Sequence, residues 1–191
     1  MNVIIAPHPD DETICCGGLI VDLLKQRKPV HVIFVTDGRF GSKNPSLRGS
    51  NILVNLRKEE ARRATSVLGL EERNLTFLDF PDKGVSNNIA VKKRITELLN
   101  ELKPDAVFYP ESTDLHEDHS SIGVFVDEIV GNFGRYRYIV WGEKKGVPKL
   151  ALDITKYYGR KLAALFQYST QLGGLPPQIW GNIVSRREIF Y

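Results

Sequence analysis

An α/β fold with one mostly parallel sheet, in strand order 3-2-1-4-5, is what the sequence predicts, and three observations predict it. Apolar runs of five or six residues alternate with stretches of helical periodicity from Asn2 to Trp141, the pattern of strands joined by crossover helices. The first run, Asn2 to Ala6 (NVIIA), passes straight into Pro7-His8-Pro9-Asp10-Asp11-Glu12, so polar groups gather where a buried strand ends. Right-handed crossovers limit the topologies. In the common order 3-2-1-4-5, strands one and four are neighbours, and the crevice between their carboxyl ends is where open α/β sheets bind ligands.

Each element has its own signal. Thr13 to Gln26 places Ile14, Gly18 and Val21 on one stripe beside Leu24, the spacing of a helix packed on a sheet. Its paired Gly17-Gly18 lowers helix propensity but permits close backbone approach, and Thr13 or the acids before it are the expected caps of its first turn. Val30 to Val35 is the second strand. From Arg39 to Asn51 the chain is rich in Gly, Ser and Asn, which reads as a loop at the same sheet edge and a candidate lid. Leu53 to Leu68 is a helix stopped by Gly69; its apolar stripe runs through Leu53, Ala61, Ala64 and Leu68 but places Arg57 on the same inward face. A guanidinium there needs an acidic partner or a ligand anion, unless it snorkels to the rim.

Leu75 to Phe80 is the third strand, closed by Pro81-Asp82, and a helix from Ile89 to Leu102 ends before Pro104. Asp105 to Tyr109 is the fourth strand, followed by the loop Pro110 to His119 (PESTDLHEDH). Ser120 to Phe133 reads as a helix, Tyr136 to Trp141 as a fifth strand, Leu150 to Ile154 as a further strand, Tyr157 to Phe166 as a helix, and the remainder as a tail. The apolar side chains of that tail, Ile179, Trp180, Ile183, Phe190 and Tyr191, suit either a homo-oligomeric contact or a cover for the chain's own sheet.

Composition narrows the classes. The chain has 191 residues, 42% of them hydrophobic, enough for one domain spanning 1–191. The formal charge is +3 with scattered Lys and Arg, which gives nucleic-acid binding little support. No apolar run approaches the roughly 20 residues of a membrane span. The two cysteines, Cys15 and Cys16, are adjacent and form no disulfide framework, so a cytoplasmic location is expected.

One imidazole and three carboxylates fall within five positions at His8 to Glu12. At a packed edge such a group is poorly solvated and self-repelling unless a cation or a set of donors compensates it. His8 and Asp11 are three apart, as are His116 and His119, and each spacing suits one side of a turn. The predicted topology brings the two clusters together at the switch point. A mixed His and carboxylate set suits zinc or a similar divalent ion, and three protein ligands leaving a place for water is the catalytic pattern.

The run Ala6-Pro7-His8-Pro9-Asp10-Asp11-Glu12 with Gly17-Gly18 downstream, joined to Asp114-Leu115-His116-Glu117-Asp118-His119, resembles the PIG-L/LmbE family of zinc-dependent N-deacetylases. The stretch Arg57 to Gly69 is similar to that family too, with a weaker echo at Lys161 to Gln171. The resemblance implies a Rossmann-like three-layer α/β sandwich and removal of an acetyl group from an N-acetylated amino sugar or its conjugate. It implies that His8, Asp11 and His119 bind zinc, that Asp10 is the general base, that His116 stabilises the oxyanion with Asp118 orienting it or holding its charge, and that Arg57 contacts substrate. The family often has Pro where Glu117 stands. Glu12 is expected to cap the helix or bond within the turn.

Two other readings use the same residues. A binding protein would hold a sugar or nucleotide sugar at this edge without chemistry, although the first turn lacks Gly-x-Gly-x-x-Gly and no Walker-type motif occurs. A 2-His-1-carboxylate iron enzyme would use the same ligand set for oxygen chemistry; metal analysis and oxygen consumption separate it from a hydrolase.

Overall fold

The computed structural model describes residues 1–143 and 146–191. Five strands, β1 (Asn2–Ala6), β2 (Val30–Thr36), β3 (Leu75–Phe80), β4 (Ala106–Pro110) and β5 (Gly134–Tyr138), pair in parallel in the order β3-β2-β1-β4-β5. This is the predicted sheet. Side chains of a strand alternate between faces, and here both faces are covered. Ile4 and Ala6 of β1 face a core shared with α1 (Asp11–Lys25) and α2 (Asn51–Leu68), while Val3 and Ile5 face one shared with α3 (Ile89–Leu102) and α4 (Glu117–Glu128). Burial on both sides explains why the central strands read as continuous apolar runs.

The remaining chain closes over the α1–α2 layer. A second, antiparallel sheet joins β6 (Leu150–Asp153) to β7 (Arg187–Phe190), and between them lie α5 (Tyr158–Leu165), α6 (Ser169–Leu172) and α7 (Pro177–Val184). The expected featureless tail is therefore two helices and a strand. Ile179, Ile183 and Phe190 are buried in the chain's own core, and Tyr191 pairs its backbone with Arg137 beside β5.

Three other expectations are corrected. The fifth strand begins at Gly134 because its register follows β4 from Ala106 to Pro110, and it ends at Tyr138 because the Val140 and Trp141 N–H groups turn to the Asp114 carboxylate at 2.8 and 3.1 Å. The fourth helix occupies Glu117–Glu128, with His116 as its N-cap, rather than starting at Ser120. No side chain caps α1; the Asp10 carbonyl accepts from Thr13 and Ile14, so the helix starts two residues earlier and takes Asp11 and Glu12 into its first turn.

The expected close approach at Gly17-Gly18 is present. A Cβ on Gly18 would lie 2.2 Å from Ile154 Cγ2. The Gly18 and Leu19 N–H groups donate to the buried Glu188 carboxylate at 2.9 and 2.7 Å, and Lys161 Nζ neutralises it at 2.9 Å. Tail and first helix are thus locked together directly behind the site.

Candidate active site

Neighbouring strands β1 and β4 carry the two polar clusters to one edge. The turn after β1 supplies His8, Asp10 and Asp11, and the first turn of α4 supplies Asp118 and His119, with His116 at the cap. Three donor atoms meet there: His8 Nδ1 lies 3.0 Å from His119 Nε2 and 3.3 Å from Asp11 Oδ2, and His119 Nε2 lies 3.2 Å from Asp11 Oδ2. Zinc ligands about 2.0–2.1 Å from a tetrahedral ion stand about 3.3–3.4 Å apart. The triangle fits one face of such a polyhedron, and its donor set of two imidazoles and a carboxylate is one that zinc accepts. A looser grouping of His8, His116 and His119 within 4.8 Å also exists. The tighter triangle with Asp11 is the better cation site, because it also brings a formal negative charge.

Each imidazole of the triangle faces a carboxylate with its other nitrogen. Asp118 Oδ2 is 3.1 Å from His8 Nε2, and Asp114 Oδ1 is 3.5 Å from His119 Nδ1. Such outer carboxylates orient metal-binding histidines and raise their basicity. Asp118 was expected to serve His116; its Oδ2 instead meets His8 and the Lys83 N–H. Asp114 also accepts from the His116 N–H at 3.0 Å and so fixes the loop that enters α4.

The electrostatics follow from this crowding. Burial would lower the pKa of His8, but Asp11 and Asp118 outweigh it and push it up to about 10. His119 rises to about 9 against the same burial, through Asp11 and Asp114. Burial would raise Asp11, yet His119 and His8 hold it well below the carboxylate range. For Asp10, burial and the adjacent Asp11 raise the carboxyl well above it, opposed by Arg57 and His8. His116 is pushed down to about 4 by burial and by the two neighbouring imidazoles. Its ring meets His8 edge-on and lies tilted against His119 and Trp141, with centroids 4.8, 4.7 and 5.8 Å away.

Among the described residues, the buried side-chain polar atoms without a hydrogen-bond partner are Arg57 Nε, His116 Nδ1, Asp118 Oδ1 and His119 Nδ1. All belong to this one site. Unsatisfied buried groups are rare in folded proteins and need an explanation such as an ion or ligand. Arg57 does not snorkel: it is 4% exposed and lines the same pocket as His8, Asp10 and His116. By contrast, Lys58 pairs with Asp79 and Arg62 with Glu59 and Glu72, so that helix face is an ion-paired surface.

Several pocket residues had no sequence signal of their own. Phe40, Trp141, Leu175 and Ile179 give the pocket an apolar wall, and Asp82 pins the Arg39 to Asn51 loop by accepting from the Phe40 N–H at 3.0 and 3.1 Å. Asp82 was findable, since it follows β3 at the same edge. Gly38 and Gly41 pack on Arg57; a Cβ at either would lie 2.4 or 2.6 Å from its terminal nitrogens.

A family model described as PIG-L: GlcNAc-PI de-N-acetylase matches residues 3–130. The chain is 28% identical over 184 residues to the "Probable N-acetyl-alpha-D-glucosaminyl L-malate deacetylase 2" of Bacillus anthracis, covering 88% of this chain and 80% of that one. It is 27% identical over 194 residues to the diacetylchitobiose deacetylase of Thermococcus kodakarensis, covering 92% and 70%. Among solved structures, the N,N'-diacetylchitobiose deacetylase of Pyrococcus horikoshii, determined with its inhibitor, superposes with a TM-score of 0.79 at 25% identity, covering 100% of this chain and 82% of that one.

Proposed function

The chain belongs to the PIG-L family, and we propose that it is a zinc-dependent N-deacetylase that hydrolyses the acetamide of an N-acetylated amino sugar or its conjugate. The observation that carries this reading is the triangle of His8 Nδ1, Asp11 Oδ2 and His119 Nε2, with edges of 3.0 to 3.3 Å, two of whose members, His8 and Asp11, line a pocket together with Asp10 and Arg57. Zinc bound to those three donors supplies a Lewis acid for the amide carbonyl and makes a water acidic near neutral pH.

The protein's own groups do the rest. Asp10, buried and destabilised as an anion, takes the proton of the attacking water and returns it to the departing amine. The balance is one amide and one water consumed, one acetate and one amine released. His116, neutral and with a buried nitrogen lacking a protein partner, donates to the oxygen on which charge develops. Asp118 and Asp114 hold the ligand rings, and Arg57 binds a hydroxyl or an anionic group of the substrate. We assign the activity to the chain as one unit, because its C-terminal elements complete the core and the pocket wall. Two buried thiols outside any disulfide suit the reducing cytoplasm.

The test is acetate release from a panel of N-acetyl amino sugars by zinc-loaded and chelated protein, with Asp10→Asn alongside. Release is expected from the zinc-loaded protein alone, and Asp10→Asn is expected to keep zinc and lose turnover. Full activity after chelation, or in Asp10→Asn, overturns the mechanism.

A further inference from the structure

The C-terminal segment reaches back to the catalytic turn in a way the hydrolytic chemistry has not yet used, and the inference drawn from it rests on the deacetylase reading. Asp10 has φ 132° and ψ −27°, a backbone conformation an L-residue holds only where its surroundings over-determine it. Both ends of the Pro9–Asp10 peptide group are gripped. Its N–H donates to Glu12 Oε2 at 3.2 Å, and its carbonyl accepts from Gln171 Nε2. Glu12 is wholly buried, and its other oxygen accepts from the Thr13 hydroxyl and, at 2.6 Å, from the hydroxyl of the equally buried Tyr168. Tyr168 and Gln171 flank a pair that is itself anchored. Ser169 Oγ, Thr170 N–H and Thr170 Oγ1 donate to the buried Glu60 of α2 at 2.8, 2.7 and 2.7 Å.

We propose that Tyr168, acting through Glu12, and Gln171 are positioning residues for Asp10: together they fix the plane of the Pro9–Asp10 peptide and so the direction of the base. Neither ligates the metal triangle. Gln171 also lines the pocket, whereas Tyr168 and Glu12 do not, so loosening Tyr168 slows chemistry while leaving zinc and substrate binding in place. Misplacement of a reacting group by about 1 Å costs on the order of 100-fold in rate, and loss of an outer partner typically costs about 10- to 100-fold.

Tyr168→Phe removes one hydroxyl and preserves the ring. Steady-state kinetics of acetate release are expected to show kcat lower by about 10- to 100-fold, with KM, zinc content and melting temperature retained. An unchanged kcat overturns the proposal, as does a loss of activity that tracks a loss of zinc, which would place the effect on Asp11. Should Tyr168→Phe not fold, Glu12→Gln is measured in the same way, and unchanged kcat again overturns it. Failure of both to fold also counts against it, because these groups would then serve the core rather than the base. Wild-type protein that releases no acetate from any amide removes the deacetylase reading itself; active wild type beside a fully active Tyr168→Phe removes the positioning role alone.

Discussion

A guanidinium taken out of water without compensation is costly, and Arg57 is buried with its Nε unpartnered beside Gly38 and Gly41. The two glycines leave room for that charge. In Gly41→Ala the new Cβ would start 2.6 Å from Nη2, and the guanidinium, being the far end of a flexible chain, is what moves. The expected outcome is a kcat/KM lower by about 10- to 100-fold, the worth of one hydrogen bond to a charged group, with the melting temperature unchanged; a loss of stability without a change in kcat/KM contradicts it. The inward position of Arg57 was legible from a stripe of period 3.6. The partner of Asp118 was not, because which imidazole a carboxylate meets depends on how α4 seats against the strand ends. Away from the site, burial lowers the pKa of His31, opposed by Glu101, and its Nε2 lies 2.8 Å from Thr76 Oγ1. The unfolded chain then binds more protons just below pH 6.5, so His31 contributes stability above that pH which is lost as pH falls through its folded value. His31→Gln is expected to flatten this part of the stability curve in urea titrations between pH 5 and 7; equal slopes in the two proteins refute it.

Elements were legible in proportion to their length and to how locally they are stopped. The helix Ile89–Leu102 matches its expected bounds because Asn88 caps the Ala90 N–H at 3.1 Å and Lys103 leaves the helix in a left-handed conformation before Pro104. The four-residue α6 and the strand β7 carry no such signals. They are held by remote groups: Glu60 binds the start of α6, and β6 pairs with β7. The seam between α1 and the tail is where a small change has the largest structural effect. In Gly18→Ala the new methyl group meets the branched Ile154 at 2.2 Å, inside a wall that also holds the Glu188 carboxylate against two helix N–H groups. Overpacking of this kind costs about 1–3 kcal/mol. Chemical denaturation of Gly18→Ala is expected to show that loss, and a midpoint equal to wild type would mean that β6 yields freely. At the loop before α4, Asp114 ties His116 to the Val140 and Trp141 amides that follow β5 and faces His119. Asp114→Ala is accordingly expected to weaken zinc binding by about 10- to 100-fold, measured by competition with a chromophoric chelator; undiminished affinity would remove Asp114 from the metal's outer shell.

For the whole molecule, the decisive feature is that the donor triangle joins segments 111 residues apart in sequence. His8 and Asp11 belong to the β1–α1 turn and His119 to α4, on strands that are neighbours only in the folded sheet. An unfolded chain brings these donors together rarely, so a metal bound by all three selects the native state, and its binding energy appears as folding energy. The same reasoning separates the triangle from a chance cluster of acids, which would bind cations weakly in folded and unfolded chain alike. At free zinc about 100 times its dissociation constant the native state gains about 2.7 kcal/mol. For a chain of this length each kcal/mol moves the melting temperature by about 2–4 °C, so zinc is expected to raise it by about 5–11 °C over chelated protein. His119→Ala removes one corner of the triangle and should abolish the shift while the metal-free protein still melts cooperatively. A zinc-induced rise that survives His119→Ala would locate the metal elsewhere and detach the remote loops from the chemistry proposed for them.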